Sequence, residues 1–302
     1  MDSPSEHREA LRTWLFAPGN HPRKVKKVFT VGADAVILDL EDAVATEQKE
    51  ATRTTVADAL KARPGRASKG YIRVNSIDTE FCYGDLVAVI GPWLDGIVLP
   101  KVESADQLRT VDWLMAALER EAGMTPGALD ILPIIETGKG LAAIDEIARA
   151  ETRVRRLSFG AGDFTNDMGM IWTSGESELY HARSAIAVAS RAAGLEAPID
   201  TVFIYLQDGE HLKKSAETAL ALGYRGKLCI HPSQIDAVNA VFTPTPEEVA
   251  RARKHVATFE EAEAAGSASI EVDGYFVDYP IYEKAQRILA LMAAIETKTQ
   301  HS

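Results

Sequence analysis

Eight short apolar runs recur along this chain, and they limit its possible folds more than any other feature. They occupy residues 13–18, 35–40, 70–75, 96–100, 130–136, 155–160, 198–205 and 227–232. Their spacing averages about 30 residues, the length of one strand with its crossover helix. The runs lack polar alternation, which suits strands buried on both faces of a parallel sheet. The stretches between them read as helical. Leu108, Val111, Met115 and Leu118 recur at helical spacing, and residues 51–60 are rich in helix-tolerant types. Eight successive β/α units predict a (β/α)8 TIM barrel in preference to an open doubly wound sheet.

At 302 residues the chain exceeds the roughly 250 that such a barrel needs. The expected division is a barrel over residues 12–243 and a C-terminal extension over 244–298. Pro244 and Pro246 punctuate the boundary, and residues 247–265 read as a charged, Ala-rich helix. A small-residue linker, 266–269, leads to an alternating stretch, 270–278, turning at Asp273-Gly274, a hairpin signal. Residues 279–298 form an amphipathic helix with Ala285, Ile288, Leu289, Met292 and Ile295 on one face. Such an appendage must pack on its own barrel or on a neighbouring subunit.

A formal net charge of −11 argues against nucleic acid as a partner. The polar residues 1–12 hold no apolar leader core, and no run approaches the roughly 20 apolar residues that span a bilayer. Cys82 and Cys229 are expected to be buried free thiols. Together these predict a cytoplasmic protein.

In a barrel of this kind the C-terminal strand ends form the active face. Here they carry Asn20, Asp39, Glu41, Asp42, Arg73, Asn75, Lys101, Glu136, Asp163, Asp200 and His231. Glu136 and Asp163, each following an apolar run, are the candidate metal ligands. Mg²⁺ takes a hard oxygen shell with one or two carboxylates and keeps positions for water and substrate. A rim salt bridge or a helix cap is the structural alternative for either acid. Arg73 should point into the mouth, to grip a carboxylate or enolate oxygen in forked geometry, to pair with Glu41 or Asp42, or both. Lys101 reads similarly, with more weight on structure. The Gly160-Ala161-Gly162-Asp163 turn could offer backbone N–H groups to a substrate carboxylate. The basic run 23–27, which includes Arg23 and Lys27, is either a phosphate contact or a solvated helix face. His231 is expected to be a hydrogen-bonded structural residue.

These segments closely resemble a known family. The stretches WLFAPGN (14–20), GADAVILDLEDAV (32–44), YIRVN (71–75), IVLPKVE (97–103), LPIIET (132–137), FGAGDFTNDMG (159–169) and GKLCIHPSQ (226–234) are similar to those of citrate lyase β-subunit-like proteins of the HpcH/HpaI aldolase superfamily. The resemblance runs from about residue 12 to 280. It implies Mg²⁺ dependence and reversible carbon–carbon cleavage of a short 3-hydroxyacyl-CoA, such as malyl-CoA or citramalyl-CoA. The products would be acetyl-CoA and glyoxylate or pyruvate. Glu136 and Asp163 then fall on the family's metal ligands and Arg73 on its substrate arginine, with Glu41 and Asp42 as further catalytic candidates. Gly162, Asp163 and Lys101 join Arg73 in substrate binding. Arg23, Lys27 and Asn20 lie where coenzyme A approaches. Asp278 falls on an aspartate that reaches a neighbour's active site in malyl-CoA lyase-like members, which implies a homo-oligomer, a trimer or hexamer. Gly162 stands where an acid is usual, Phe164 replaces an aliphatic residue and Phe276 a common Met. Competing expectations are a thioesterase acting on the same substrates, a citrate lyase subunit needing an acyl-carrier partner, and a silent CoA-binding scaffold.

Overall fold

The computed structural model describes residues 9–300; residues 1–8 and 301–302 lie outside the described residues. Eight parallel strands close into a barrel in chain order: β1 (Thr13–Pro18), β2 (Ala35–Asp39), β3 (Lys69–Arg73), β4 (Gly96–Leu99), β5 (Asp130–Ile135), β6 (Ser158–Phe159), β7 (Ile199–Asp200) and β8 (Gly226–Cys229). Closure is by β1 against β8, with Trp14 opposite Leu228 and Leu15 opposite Cys229. The expected barrel is therefore the observed one. The first run coincides with β1, and the other seven were read one to several residues long at their C-terminal ends, where the chain leaves the sheet to build the loops of the mouth.

The two faces of the strands have different partners. Trp14, Ala35, Ile37, Tyr71, Val98, Leu132, Ile134, Ile199 and Leu228 fill the barrel interior. The alternate residues face the surrounding helices, which explains the unbroken apolar runs. The helix Ala105–Glu121 shows the outer layer's logic. Ser104 caps it by accepting from Gln107 N, and Leu108, Val111 and Met115 are buried. The same parity carries the inward rows to the mouth. Asp39, Arg73 and Glu136 each lie two residues beyond an interior side chain (Ile37, Tyr71 and Ile134), so they form the barrel's top layer.

At the opposite end the interior closes on Asp130, which accepts from Tyr71 Oη at 2.9 Å and from Arg156 Nη1 at 3.0 Å. Both cysteines are buried and free. Among the described residues no helix is long and apolar enough to cross a membrane.

The chain divides into two compact units, Leu11–Ala240 and a second built on the chain from Val241 onward. In the second, the helix Pro246–Ala264 is capped by Thr245, whose side chain accepts from Glu248 N while the Glu248 side chain accepts from Thr245 N. The hairpin β9 (Ile270–Val272) and β10 (Tyr275–Val277) turns at Asp273 and Gly274, both with positive φ (52° and 77°), the geometry its two-residue loop requires. Phe259, Val272 and Val277 form the core of this unit, with Tyr282 stacked on Phe259 and the helix Tyr279–Gln300 continuing the chain.

Candidate active site

The best-anchored group at the mouth is Arg73. Its Nε and Nη2 donate to the two oxygens of Asp39 at 2.7 and 2.6 Å, a forked pair. Its guanidinium also lies over the Phe16 ring, 4.9 Å from the centroid. Nη1 is left facing Glu41, with Oε2 at 3.0 Å but without hydrogen-bonding angles. Burial would raise the Asp39 carboxyl, but Arg73 and the N–H groups of Glu41 and Ala43 outweigh it and hold the group below the usual range. Those same N–H bonds fold residues 40–43 back across the mouth. Lys49 secures that fold from beneath, donating to Leu40 O, Glu41 O and Asn75 Oδ1 at 3.1, 2.8 and 2.6 Å. Asn75 is held in turn by the buried Asp85 carboxylate.

The acids gather around Lys101. Its ammonium lies 2.5 Å from Glu41 Oε1, 3.5 Å from Asp42 Oδ1 and 3.4 Å from Asp163 Oδ2, while its backbone N–H donates to Glu136 Oε1 at 2.8 Å. Glu136 is buried. Burial, with the Glu41 and Asp163 charges beside it, pushes its carboxyl up to about 8 against the opposing pull of Arg73. Burial likewise raises Glu41. Gly160 makes room for this arrangement, because a Cβ there would lie 2.5 Å from Glu136 Oε2. Thr137, next in the chain, caps the following helix by accepting from Gly140 N and donates to Glu103.

The donor set suits a hard divalent cation: carboxylate oxygens, those of Glu136 buried and those of Asp163 part-exposed, more negative charge than one arginine and one lysine balance, and, among the described residues, no His or Cys beside them. Among the described residues no group of three His, Cys, Asp or Glu side chains is arranged as a metal cage. A site of two carboxylates, completed by water and substrate, is the form Mg²⁺ commonly takes.

Other candidates are placed less centrally. Arg23 and Lys27 are exposed on the short helix Pro22–Lys27, around the buried Val25. Asn20 donates to Gln48 Oε1 at 2.6 Å. Gly162 is exposed in the first turn of the helix Ala161–Asp167, but the Ala161 N–H of the expected nest is taken by Thr201 Oγ1 at 2.8 Å. His231 caps the turn Pro232–Gln234, the structural role expected of it. Asp278 belongs to the second unit, where its Oδ1 accepts from Ile281 N at 3.3 Å at the start of a helix.

One rim residue was misplaced by the sequence. Asp200 follows the inward-facing Ile199, so it points out of the barrel. There it pairs with Arg183 (2.8 Å) and Lys227 (2.5 Å), fully buried between sheet and helices. Residues whose roles the sequence did not suggest are Asp39, Lys49 and Asp85. For Asp39 the signal was present, since it continues the inward row of β2. For Lys49 and Asp85 there was none, because both lie on helices.

Residues 12–232 match the sequence profile of the HpcH/HpaI aldolase/citrate lyase family. The chain belongs to that family. Its HpcH/HpaI relatives include the citrate lyase subunit beta of Leuconostoc mesenteroides subsp. cremoris, 38% identical over 283 residues, covering 94% of this chain and 93% of the relative. The L-malyl-CoA/beta-methylmalyl-CoA lyase of Cereibacter sphaeroides is 36% identical over 299 residues, covering 92% and 93%. Among solved structures, the protein CitE from Mycobacterium tuberculosis, in complex with magnesium, acetoacetate and coenzyme A, superposes with a TM-score of 0.76 at 30% identity, covering 95% of this chain and all of that one. The resemblance read from the motifs is thus shown across nearly the whole length, and this HpcH/HpaI member is an enzyme of lyase type.

Proposed function

We propose that the chain cleaves a short 3-hydroxyacyl-CoA, such as malyl-CoA or citramalyl-CoA, reversibly into acetyl-CoA and a 2-oxo acid, with Mg²⁺ held by Glu136 and Asp163. The observation that carries this reading is the gathering of Arg73, Glu41, Lys101, Glu136 and Asp163 at one barrel mouth. The complex of Mycobacterium tuberculosis CitE with magnesium, acetoacetate and coenzyme A, and that of a citrate lyase beta subunit from the same organism with magnesium and oxaloacetate, support it. When bound, the cation supplies Lewis-acid polarisation of the substrate's hydroxyl or keto oxygen.

Cleavage releases the 3-hydroxyl proton to solvent, turns that C–O bond into a carbonyl and breaks the adjacent C–C bond. The electron pair passes to the thioester as an enolate. Arg73 is preorganised for that charge: Asp39 fixes two of its nitrogens and Nη1 stays at the mouth, so little reorganisation is needed as charge develops. Glu41 and Asp42 keep Arg73 and Lys101 facing the reacting atoms. Arg23, Lys27 and Asn20 meet the coenzyme A moiety in this reading, and Gly162 leaves space beside Asp163 for the oxo acid.

Asp278, delivered from a neighbouring copy in a trimer or hexamer, returns a proton to the enolate carbon and removes it in the condensation direction. Asp278→Asn keeps an acceptor for the Ile281 N–H but no longer exchanges a proton. Turnover is expected to fall about 10²- to 10⁴-fold while the melting temperature stays unchanged. Wild-type turnover in that variant would remove Asp278 from the mechanism.

The second reading is a citrate lyase subunit that takes its acyl group from a carrier protein, favoured by the Leuconostoc relative. Purified protein with Mg²⁺ is expected to release acetyl-CoA and an oxo acid from malyl-CoA or citramalyl-CoA. Turnover of carrier-bound substrate alone would favour the second reading. Release of free coenzyme A with malate or citramalate would instead identify a thioesterase.

A further inference from the structure

Lys101 occupies a backbone conformation that its residue type disfavours. Its φ is +53°, in the left-handed region, although it carries a long side chain. The cause lies in the register of β4 against β5. The ladder runs to Leu99 opposite Pro133, and the next bond to that strand is from Val102 N to Ile134 O at 3.3 Å. Pro100 and Lys101 are therefore looped out, a bulge of the kind that re-aims groups beside a site. The Lys101 N–H goes to Glu136 Oε1 instead of the ladder, and the side chain crosses to Glu41 and Asp163. One strained residue thus touches both carboxylates assigned to the cation, one through its backbone and one through its charge.

We propose that Lys101 positions Glu136 through its left-handed backbone, and that its ammonium is the resident counter-charge of Asp163 and Glu41, which a divalent cation displaces. The inference rests on the reading of Glu136 and Asp163 as cation ligands and deepens it. Strain at such a site persists because the surrounding structure fixes it: Val102 is tied to Ile134, and Gly140 lets its helix approach so closely that a Cβ there would lie 2.5 Å from Val102 O. The backbone and charge roles separate by substitution, since glycine adopts this φ freely and a β-branched residue resists it.

The test is binding of Mg²⁺ alone to the full-length protein, measured by isothermal titration calorimetry on Lys101→Gly and Lys101→Val. Lys101→Gly keeps the turn and its N–H and deletes the competing positive charge, so it is expected to bind Mg²⁺ at least as tightly as wild type. Lys101→Val retains no ammonium either, but its backbone is pushed away from φ +53°, and its affinity should fall about tenfold or more. If Lys101→Val does not fold, Lys101→Ala carries the same comparison, because alanine also resists the left-handed region. Equal weakening in the glycine and valine variants would mean that the ammonium does the positioning and would overturn the proposal. Wild-type affinity in both would overturn it as well. Glu136→Gln separates the two levels of the argument. If it binds Mg²⁺ as wild type does, the cation reading of the site falls. If it alone loses the ion while every Lys101 variant keeps it, only the role of Lys101 falls.

Discussion

Glu136→Gln is expected to give a folded protein that has lost both its Mg²⁺ affinity and its lyase turnover. The substitution is isosteric, and the amide oxygen can still accept the Lys101 N–H that the carboxylate accepts at 2.8 Å. What disappears is the capacity to ionise beside a cation. Glu136 is buried and carries a carboxyl pushed up to about 8, by burial first and then by the neighbouring Glu41 and Asp163. With its carboxyl raised that far, ion-free Glu136 is already largely neutral near pH 7, so the ion-free variant should melt no lower than ion-free wild type. Turnover should nevertheless fall by about 10³-fold or more, the scale of losing the main electrostatic stabilisation in a water-excluded site. Steady-state kinetics with malyl-CoA and citramalyl-CoA, beside a calorimetric Mg²⁺ titration, would check both halves. Turnover within a few-fold of wild type would remove the cation from the mechanism.

The largest stability effect is expected between the sheet and its helices, from Lys227→Met. Lys227 and Asp200 are fully buried, 2.5 Å apart, and Lys227 Nζ also meets Ser215 Oγ at 2.9 Å. Arg183 completes the cluster, reaching Asp200 at 2.8 Å and Glu176 at 2.7 Å. Two cations balance two anions, so deleting one cation leaves a buried negative charge without its partner. Breaking a pair in this way costs about 3–5 kcal/mol, and for a unit of this size the melting temperature should drop by roughly 10 °C. Burial alone would raise the Asp200 carboxyl, but Arg183 and Lys227 outweigh it and hold it below the ordinary range. A depressed carboxyl contributes its stability above its unfolded value and loses it as pH falls through the folded one. The gap between wild type and Lys227→Met should therefore be full above about pH 4 and narrow in more acid solution. Urea melts at neutral and acid pH measure this, and a gap that widens on acidification would contradict it.

Asp200 also shows where sequence reading fails. It stands at the end of β7 as Glu136 stands just after β5, and residue type does not separate the two acids. One residue of phase does. Glu136 is two positions beyond the interior Ile134, whereas Asp200 is one beyond the interior Ile199. A strand end therefore marks a candidate, and parity decides between the mouth and the helical shell. Asp39 makes the converse case. It stood among the rim acids with no role, yet it holds Arg73 in a fork and bends the following loop across the site. Lys49 and Asp85 could not be found from strand ends at all, because helices deliver them to the underside of that loop.

The linear chain by itself determined the barrel, the order of its strands, the helix and hairpin that follow, and the acids and arginine at the strand ends. These follow from period, spacing and turn chemistry, which are local properties of a chain. Tertiary structure alone decided which charges meet. The bulge at Lys101, the fork between Arg73 and Asp39 and the outward turn of Asp200 depend on register between strands distant in sequence. Hydrogen-bonded charge pairs form only when the groups approach within about 3 Å, so a one-residue change of phase separates a catalytic cluster from a buried structural one.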